Sequence, residues 1–97
     1  MKRYTLKLTD KDNVATAMED IAAGDTVAVT DEDGHETETL QSLSAISRGH
    51  KIALGDIGEG EAVIKYGFAI GMASRKITKG ELVHVENLSS ARGRGDL

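Results

Sequence analysis

The sequence predicts a mainly β domain with one short helix near the N-terminus. Three observations support this prediction: short runs that alternate polar and apolar residues, 11 glycines without a single proline, and an internal repeat. The alternating runs are typical of half-buried strands, and glycine suits the tight turns between them because it adopts positive φ freely. The 97 residues are enough for one domain with a modest core. We expect this domain to span residues 1–88 and a flexible tail to span residues 89–97.

The first two elements are a strand and the helix. Residues 3–8 alternate between polar and apolar side chains, which predicts the strand. Asp10 or Asp12 can cap the helix that follows, because a side-chain oxygen at this position accepts a backbone N–H. Apolar residues then recur at helical spacing as far as Ile21, and Gly24 suits the end of a helix.

Short strands separated by turns fill the rest of the chain. The acidic sequence at residues 31–34 ends in glycine and is typical of a turn, so the residues on either side are expected to pair. The expected strands are residues 26–30, 35–40, 51–54, 61–66, 68–70, 72–73 and 82–86. Residues 42–49 are interpreted as a loop that includes a helical turn.

The internal repeat has the form I-x-x-G-[DE]-x-V and occurs three times, at residues 21–27, 57–63 and 77–83. In each copy the isoleucine is expected to enter the core, the chain to turn at the glycine, and the acidic residue to begin a strand. Repeated units of this kind predict two-stranded ribbons folded over one another.

Composition excludes several classes of function. The net charge is −4, which argues against a nucleic-acid partner, since such proteins usually carry a basic patch. No apolar run approaches the roughly 20 residues of a membrane helix, and the N-terminus lacks the apolar stretch of a secretory signal. We therefore expect a cytoplasmic protein that does not enter a membrane. Because the chain has no cysteine, any metal would need His, Asp or Glu ligands.

The most suggestive side chains lie near the end of the chain. If residues 82–86 form one strand, His84 and Glu86 share a face and lie about 6.6 Å apart. Both residue types bind divalent metals, so the pair is a candidate metal site. The alternative is an ordinary polar face exposed to water.

Two further pairs stand where predicted strands begin or end. His50 and Lys51 open one strand, where a histidine can move a proton and a lysine can hold an anion. Lys65 and Tyr66 close another at a glycine turn, where they can bind carboxylate and hydroxyl groups. For both pairs the alternative is a solvated turn, and His35 is interpreted as a surface residue.

Several segments together resemble one family. They cover the chain from Asp12 to Leu88 and match the SAF domain of altronate and galactarate dehydratases. The matching segments are Asp12-Asn-Val-Ala15, Ile21-x-x-Gly24, His50-Lys-Ile-Ala-Leu54, Gly60-Glu-x-Val-Ile-Lys-Tyr-Gly67, Ile70-Gly71 and Ile77-x-x-Gly-Glu-x-Val-His-Val-x-Asn-Leu88. The resemblance implies a β-clip fold, in which ribbons fold over one another.

The resemblance also implies a function. The SAF domain of this family usually precedes a large catalytic domain, so a chain of this length is expected to be a separate small subunit with a large dehydratase-like partner. The implied reaction is β-elimination from a sugar acid or another 2-hydroxy acid, assisted by a divalent metal, with Fe²⁺ expected. In this reading His50 and His84 are catalytic, and the substrate is bound by Lys51, Lys65, Tyr66 and Asn87.

The family's last strand commonly carries more histidines than this one. Leu82 and Glu86 stand where histidines often occur. The resemblance therefore implies a metal site to which His84 and Glu86 contribute and which the large subunit completes. Two alternatives stay open: the small subunit of a sulfolactate sulfo-lyase, and a non-catalytic module for sugar-acid binding or assembly. A homo-oligomer is compatible with each of them.

Overall fold

The computed structural model describes residues 2–90, which form nine strands. The strands are β1 (Lys2–Leu6), β2 (Val14–Ala17), β3 (Thr26–Thr30), β4 (Glu36–Gln41), β5 (Lys51–Ala53), β6 (Ala62–Lys65), β7 (Phe68–Ala73), β8 (Leu82–Val83) and β9 (Leu88–Ser90). No helix is present within these residues, so the prediction of a mainly β domain is confirmed.

The strands form two sheets. The larger has six strands in the order β4-β3-β1-β2-β5-β8, and the smaller has three in the order β6-β7-β9. Strands β1 and β3 are parallel, whereas the other pairs are antiparallel. Strand β6 also contacts β2 of the larger sheet, so the two sheets pack against each other.

The predicted N-terminal helix is wrong. Its first half is β2, which pairs with β1 on one side and β5 on the other. Val14 and Ala15 are both buried because they enter different cores on opposite faces of the sheet. A strand buried on both faces has no polar alternation, so its apolar run imitated a helical pattern. Met18 lies exposed beyond the strand, and Gly24, with φ of 92°, lies in a turn between strands.

Two hydrophobic cores stabilise the fold, one on each face of the central strands. The first contains Ala15, Ala17, Ile21, Val27, Val29, Leu40, Ile46, Ile52 and Leu54, and the second contains Val14, Ala53, Ile57, Val63, Ala73, Ile77 and Val83. Burying a side chain such as Ile52 contributes about 1.5–3 kcal/mol. Aliphatic residues make up both cores.

The internal repeat is a folding unit, and the structure contains a fourth copy that begins at Ile46. In all four copies, the N–H of the glycine donates to the backbone carbonyl of a residue in another segment. The N–H of that same residue donates to the carbonyl of the residue that follows the glycine. The four partner residues are Ser42, Ala17, Ala73 and Ala53. The first isoleucines of the copies pair as two bridges, Ile21 with Ile46 and Ile57 with Ile77. The fourth copy does not match the sequence pattern of the other three, because His50 stands in place of the acidic residue and Ile52 in place of the valine.

The last predicted strand is also wrong in its extent. Strand β8 ends at Val83, residues 84–87 form a turn, and β9 then pairs with β7. Ser89, assigned to the tail from sequence, therefore lies in a strand, whereas residues 91–97 of that tail lie outside the described residues.

Candidate functional site

The structure brings His50 and His84 together. Their ring centroids are 4.6 Å apart, and the ring planes meet edge to face at 79°. The pairing of β5 with β8 explains this contact, because Lys51 is opposite Val83 in an antiparallel pair. The residue before Lys51 and the residue after Val83 are therefore level with each other. Both histidines are half-buried.

His50 occupies a position that holds a carboxylate in the other three copies of the repeat. There the carboxylate accepts the N–H of the residue three positions earlier, at 2.6–2.9 Å, in the pairs Asp25 with Ala22, Glu61 with Gly58 and Glu81 with Thr78. The ring of His50 instead places Nδ1 3.3 Å from the carbonyl oxygen of Ser47. We assign Nδ1–H as the donor in this contact, which leaves the lone pair on Nε2. His50 can therefore accept a proton or bind a metal through Nε2.

A buried amide holds the turn that carries His84. The Oδ1 of Asn87 accepts the N–H of His84 at 2.9 Å, and its Nδ2 donates to the carbonyl of Leu82 at 2.8 Å. Asn87 is 2% exposed. The structure therefore gives Asn87 a clear part in positioning His84, while the substrate contact predicted for it stays a prediction.

His84 and Glu86 do not share one face of a strand, so that prediction is wrong. The chain leaves β8 after Val83, and Glu86 lies exposed in the turn. Because strand alternation ends there, the spacing of these residues no longer dictates where they point. Their assignment as metal ligands stays a prediction that rests on donor chemistry.

Two lysines lie near each other, and one of them, Lys51, follows His50 in the sequence. Burial lowers the pKa of Lys51, and the nearby ammonium group of Lys65 lowers it further. Within residues 2–90 neither lysine forms an ion pair with a carboxylate. The Nζ of Lys65 lies 4.8 Å from the ring centroid of Tyr66, in a cation–π contact. Two partly desolvated cations without a carboxylate partner can bind an anionic ligand.

The turn that carries Tyr66 has an unusual backbone. Tyr66 and Gly67 have φ of 57° and 79°, and they join β6 to β7 as a two-residue hairpin loop. Asn or Gly ordinarily fills the first position of such a turn, because positive φ strains other residues by about 1–3 kcal/mol. Strain of this kind often accompanies a functional role. Half of the surface of Tyr66 is exposed, which leaves its phenol free to contact a ligand.

A different set of three residues brings its potential metal-ligand atoms close together. Asp31, Asp33 and His35 place one ligand atom each within 4.8 Å of the others. Asp31 already accepts the N–H groups of Asp33 and His35, as a turn residue does. Both partners are exposed, in keeping with the interpretation of this segment as a surface turn. Among residues 2–90 no other set of three His, Asp or Glu side chains places its ligand atoms this close together, so His84 and Glu86 lack a third donor there.

A comparison of the sequence with protein families identifies the family of this chain. Residues 3–91 match the altronate/galactarate dehydratase SAF domain. The chain belongs to this family. Within the part of this SAF domain that the structure describes, no helix is long and apolar enough to cross a membrane.

Three relatives of this SAF domain differ in length. The altronate dehydratase of Escherichia coli is 42% identical over 82 residues, which cover 84% of the chain and 15% of that protein. The altronate dehydratase of Bacillus subtilis is 39% identical over 87 residues, 90% of the chain and 16% of that protein. The (2R)-sulfolactate sulfo-lyase subunit alpha of Chromohalobacter salexigens is 37% identical over 75 residues, 77% of the chain and 80% of that protein. The chain therefore spans 15–16% of the two dehydratases.

Proposed function

We propose that this SAF domain is the small subunit of a cytoplasmic lyase of the altronate/galactarate dehydratase type. In this proposal it supplies His50 and His84 to a site that a large catalytic subunit completes. The contact between the two histidines is the observation that carries the proposal. Two lysines without carboxylate partners, one of which follows His50 in the sequence, support it. The similarity to a protein named as a subunit supports the division between two chains, and a β-clip arrangement of the two sheets is part of the same proposal.

The two imidazoles suit β-elimination from a 2-hydroxy acid. One ring takes a proton from the carbon next to the carboxylate, and the other donates a proton to the hydroxyl that leaves from the next carbon. The electrons of the C–H bond form the double bond as the C–O bond breaks, so water and an unsaturated acid result. Nε2 of His50 is available for one of these transfers because Nδ1 faces its own turn.

The lysines suit the charge that develops during this reaction. Proton removal beside a carboxylate increases the negative charge on that group, and cations placed there stabilise it. Lys51 follows His50 directly, and Lys65 lies near enough to affect its pKa. We therefore assign Lys51 and Lys65 to the substrate carboxylate and Tyr66 to a substrate hydroxyl.

The donor set fits part of a divalent metal site. Two imidazoles with centroids 4.6 Å apart are close enough to serve one ion. Glu86, in the same turn as His84, does not lie close enough to both rings to form a set of three donors with them, so its side chain would have to move to become a ligand. A bound divalent cation, for which we expect Fe²⁺, would stabilise the charge on the substrate carboxylate. We propose that the remaining ligands come from the large subunit.

Reconstitution tests the proposal. The chain is mixed with a large dehydratase-like protein that lacks a SAF domain of its own, and dehydration of altronate and galactarate is measured with Fe²⁺ present. We expect the mixture to be active and each protein alone to be inactive. A mixture no faster than the large protein alone would contradict the proposal.

A second candidate follows from one relative. The chain covers 80% of the sulfolactate sulfo-lyase subunit, so its length matches that protein better than a dehydratase. In that reaction a sulfonate group leaves instead of a hydroxyl. Release of sulfite from (2R)-sulfolactate by the same mixture, without dehydration of sugar acids, would favour this candidate.

A further inference from the structure

A buried carboxylate connects two distant parts of the chain. Asp12 is 5% exposed, and its carboxylate accepts hydrogen bonds from Thr9 Oγ1 at 2.7 Å and from the N–H of Gly67 at 2.8 Å. It also accepts the N–H groups of Leu8 at 3.2 Å and Thr9 at 3.3 Å. Asp12 thereby joins the loop after β1 to the tip of the β6–β7 hairpin, 55 residues away.

The carboxylate is held in its ionised form by these donors alone. Burial by itself raises the pKa of Asp12, but hydrogen bonds from Thr9, Gly67 and Tyr66 together lower the pKa below its ordinary value. Within the described residues no lysine, arginine or histidine pairs with this carboxylate. The negative charge of Asp12 therefore interacts with backbone N–H groups of the loop and of the hairpin tip.

The neighbouring residue fastens the same hairpin at its base. The Oδ1 of Asn13 accepts the N–H of Ile64 at 2.7 Å, and its Nδ2 donates to the carbonyl of Ala62 at 2.9 Å. The backbone N–H of Asn13 also donates to Ile64, at 3.2 Å. Asn13 thus holds strand β6, while Asp12 holds the turn at the end of that strand.

We propose that Asp12 is a positioning residue for the candidate site. By accepting the N–H of Gly67, it keeps the strained turn in place and presents Lys65 and Tyr66 in one fixed arrangement. The part of this inference that concerns substrate rests on the proposed function of these two residues. A turn fixed before binding lowers the entropy cost of binding, so loss of Asp12 raises KM more than it lowers kcat.

Local hydrogen exchange of the chain tests the structural half of the inference. Asp12→Asn should speed exchange of the Tyr66 and Gly67 amides by about tenfold or more, since a hydrogen bond to a charged group is lost. The amides of Val27 and Val29, in the larger sheet, serve as the internal reference and should change much less. Equal acceleration at all four amides, or none at Gly67, would overturn the inference.

Two further variants serve as a control and as a replacement in the exchange measurement. Asp25→Asn removes another carboxylate that accepts a backbone N–H, from Ala22, and it should leave exchange at Gly67 unchanged. If Asp12→Asn does not fold, Thr9→Val replaces it, because this change removes the 2.7 Å bond to Asp12 together with a 3.2 Å bond that Thr9 Oγ1 accepts from the N–H of Lys11. Thr9→Val should produce the same local pattern at smaller amplitude, and no change at Gly67 would count against Asp12.

Kinetics of the reconstituted complex test the other half. Asp12→Asn should raise KM for the acid substrate about tenfold and change kcat less than about threefold. A fall in kcat without a rise in KM would overturn the assignment of Asp12 as a positioning residue for substrate binding. If the wild-type complex is inactive toward every acid tested, the proposed function fails, and the exchange measurements alone decide the role of Asp12.

Discussion

At the scale of single residues, His50 shows how a reactive group is placed on a structural unit. The other three copies of the repeat hold Asp25, Glu61 and Glu81 at this position, where each carboxylate accepts a backbone N–H. His50 forms a longer contact, 3.3 Å, with a carbonyl oxygen. A carboxylate at this position therefore forms the stronger local hydrogen bond, and the proposed catalytic role would account for the histidine.

This comparison predicts that His50→Asp separates folding from function. The variant should be as stable as the wild type or up to about 1 kcal/mol more stable, because it restores the missing hydrogen bond. It should lose lyase activity in the reconstituted complex, because a carboxylate cannot replace an imidazole in proton transfer near neutral pH. Thermal unfolding and the elimination rate are the measurements.

The reciprocal change is the control. Glu61→His in the copy that begins at Ile57 removes a carboxylate that accepts a 2.6 Å hydrogen bond, and it should lower stability by about 1 kcal/mol without lowering activity. Full activity of His50→Asp would remove His50 from the site.

His84→Ala is the corresponding test on the other ring. The backbone bonds that hold its turn come from Asn87 and do not involve the imidazole, so the variant should fold. We expect at least a hundredfold loss of elimination rate, the usual loss for a general acid or base. Circular dichroism checks the fold, and unchanged turnover would exclude a catalytic role for His84.

Asp12 predicts how stability depends on pH. Its pKa is lower in the folded chain than the ordinary value of 3.8, so its stabilising effect is present above that value and is lost as the pH falls through the folded pKa. At pH 7 Asp12→Asn should unfold about 1–3 kcal/mol more easily than the wild type. The difference in stability between the two proteins should begin to shrink as the pH falls below about 4, and it should vanish below the folded pKa of Asp12. Denaturant unfolding at pH 7 and pH 3 measures the difference, and an equal gap at both values would contradict the prediction.

At the scale of elements, the sequence predicted most of the strands that lie next to glycine or polar turns. Strand β3 was predicted with its observed bounds, residues 26–30, and β1, β4, β5 and β6 to within two residues at either end. Strand β2 was missed because both of its faces are buried, and β8 was overextended because Asn87 folds the chain back after Val83. For β2 the pairing with β1 and β5 outweighs the local pattern, whereas for β8 the side chain of Asn87 closes a local turn that strand alternation does not reveal.

The pairing of β7 with β9 predicts a sensitive glycine. A Cβ at Gly71 would collide with the backbone carbonyl of Ser89, although the φ of Gly71 is not positive. Gly71→Ala should therefore push β9 away and cost about 1–3 kcal/mol, as overpacking does. Gly55→Ala is the matched control, because its Cβ would meet nothing within 4 Å. Equal stability of the two variants would show that β9 moves without cost.

At the scale of the whole molecule, the four repeats form two similar pairs. In each pair the first isoleucines form a bridge, and an aspartate just before one copy accepts an N–H from the other copy, at 2.9 Å in both cases. These aspartates are Asp20 and Asp56. The sequence revealed the repeat but not this pairing, since pairing depends on which strands become neighbours. For the same reason it named both histidines of the site without showing that their rings touch.

Two exposed apolar side chains predict where the proposed large subunit binds. Val85 follows His84 and is 75% exposed, and Phe68 adjoins the tip that carries Tyr66 and is 73% exposed. Large apolar side chains at such exposure are typical of residues that a partner covers.

The double variant Phe68→Ser, Val85→Ser should weaken association with the large subunit by at least about tenfold, because it removes apolar contact area. Titration calorimetry measures the affinity, and thermal unfolding of the chain should stay within about 0.5 kcal/mol, as for other surface changes. Leu43→Ser removes another exposed apolar side chain, one that lies against Gly80, and should leave affinity unchanged. Equal affinities for the double variant and the wild type would place the interface on another face of the domain.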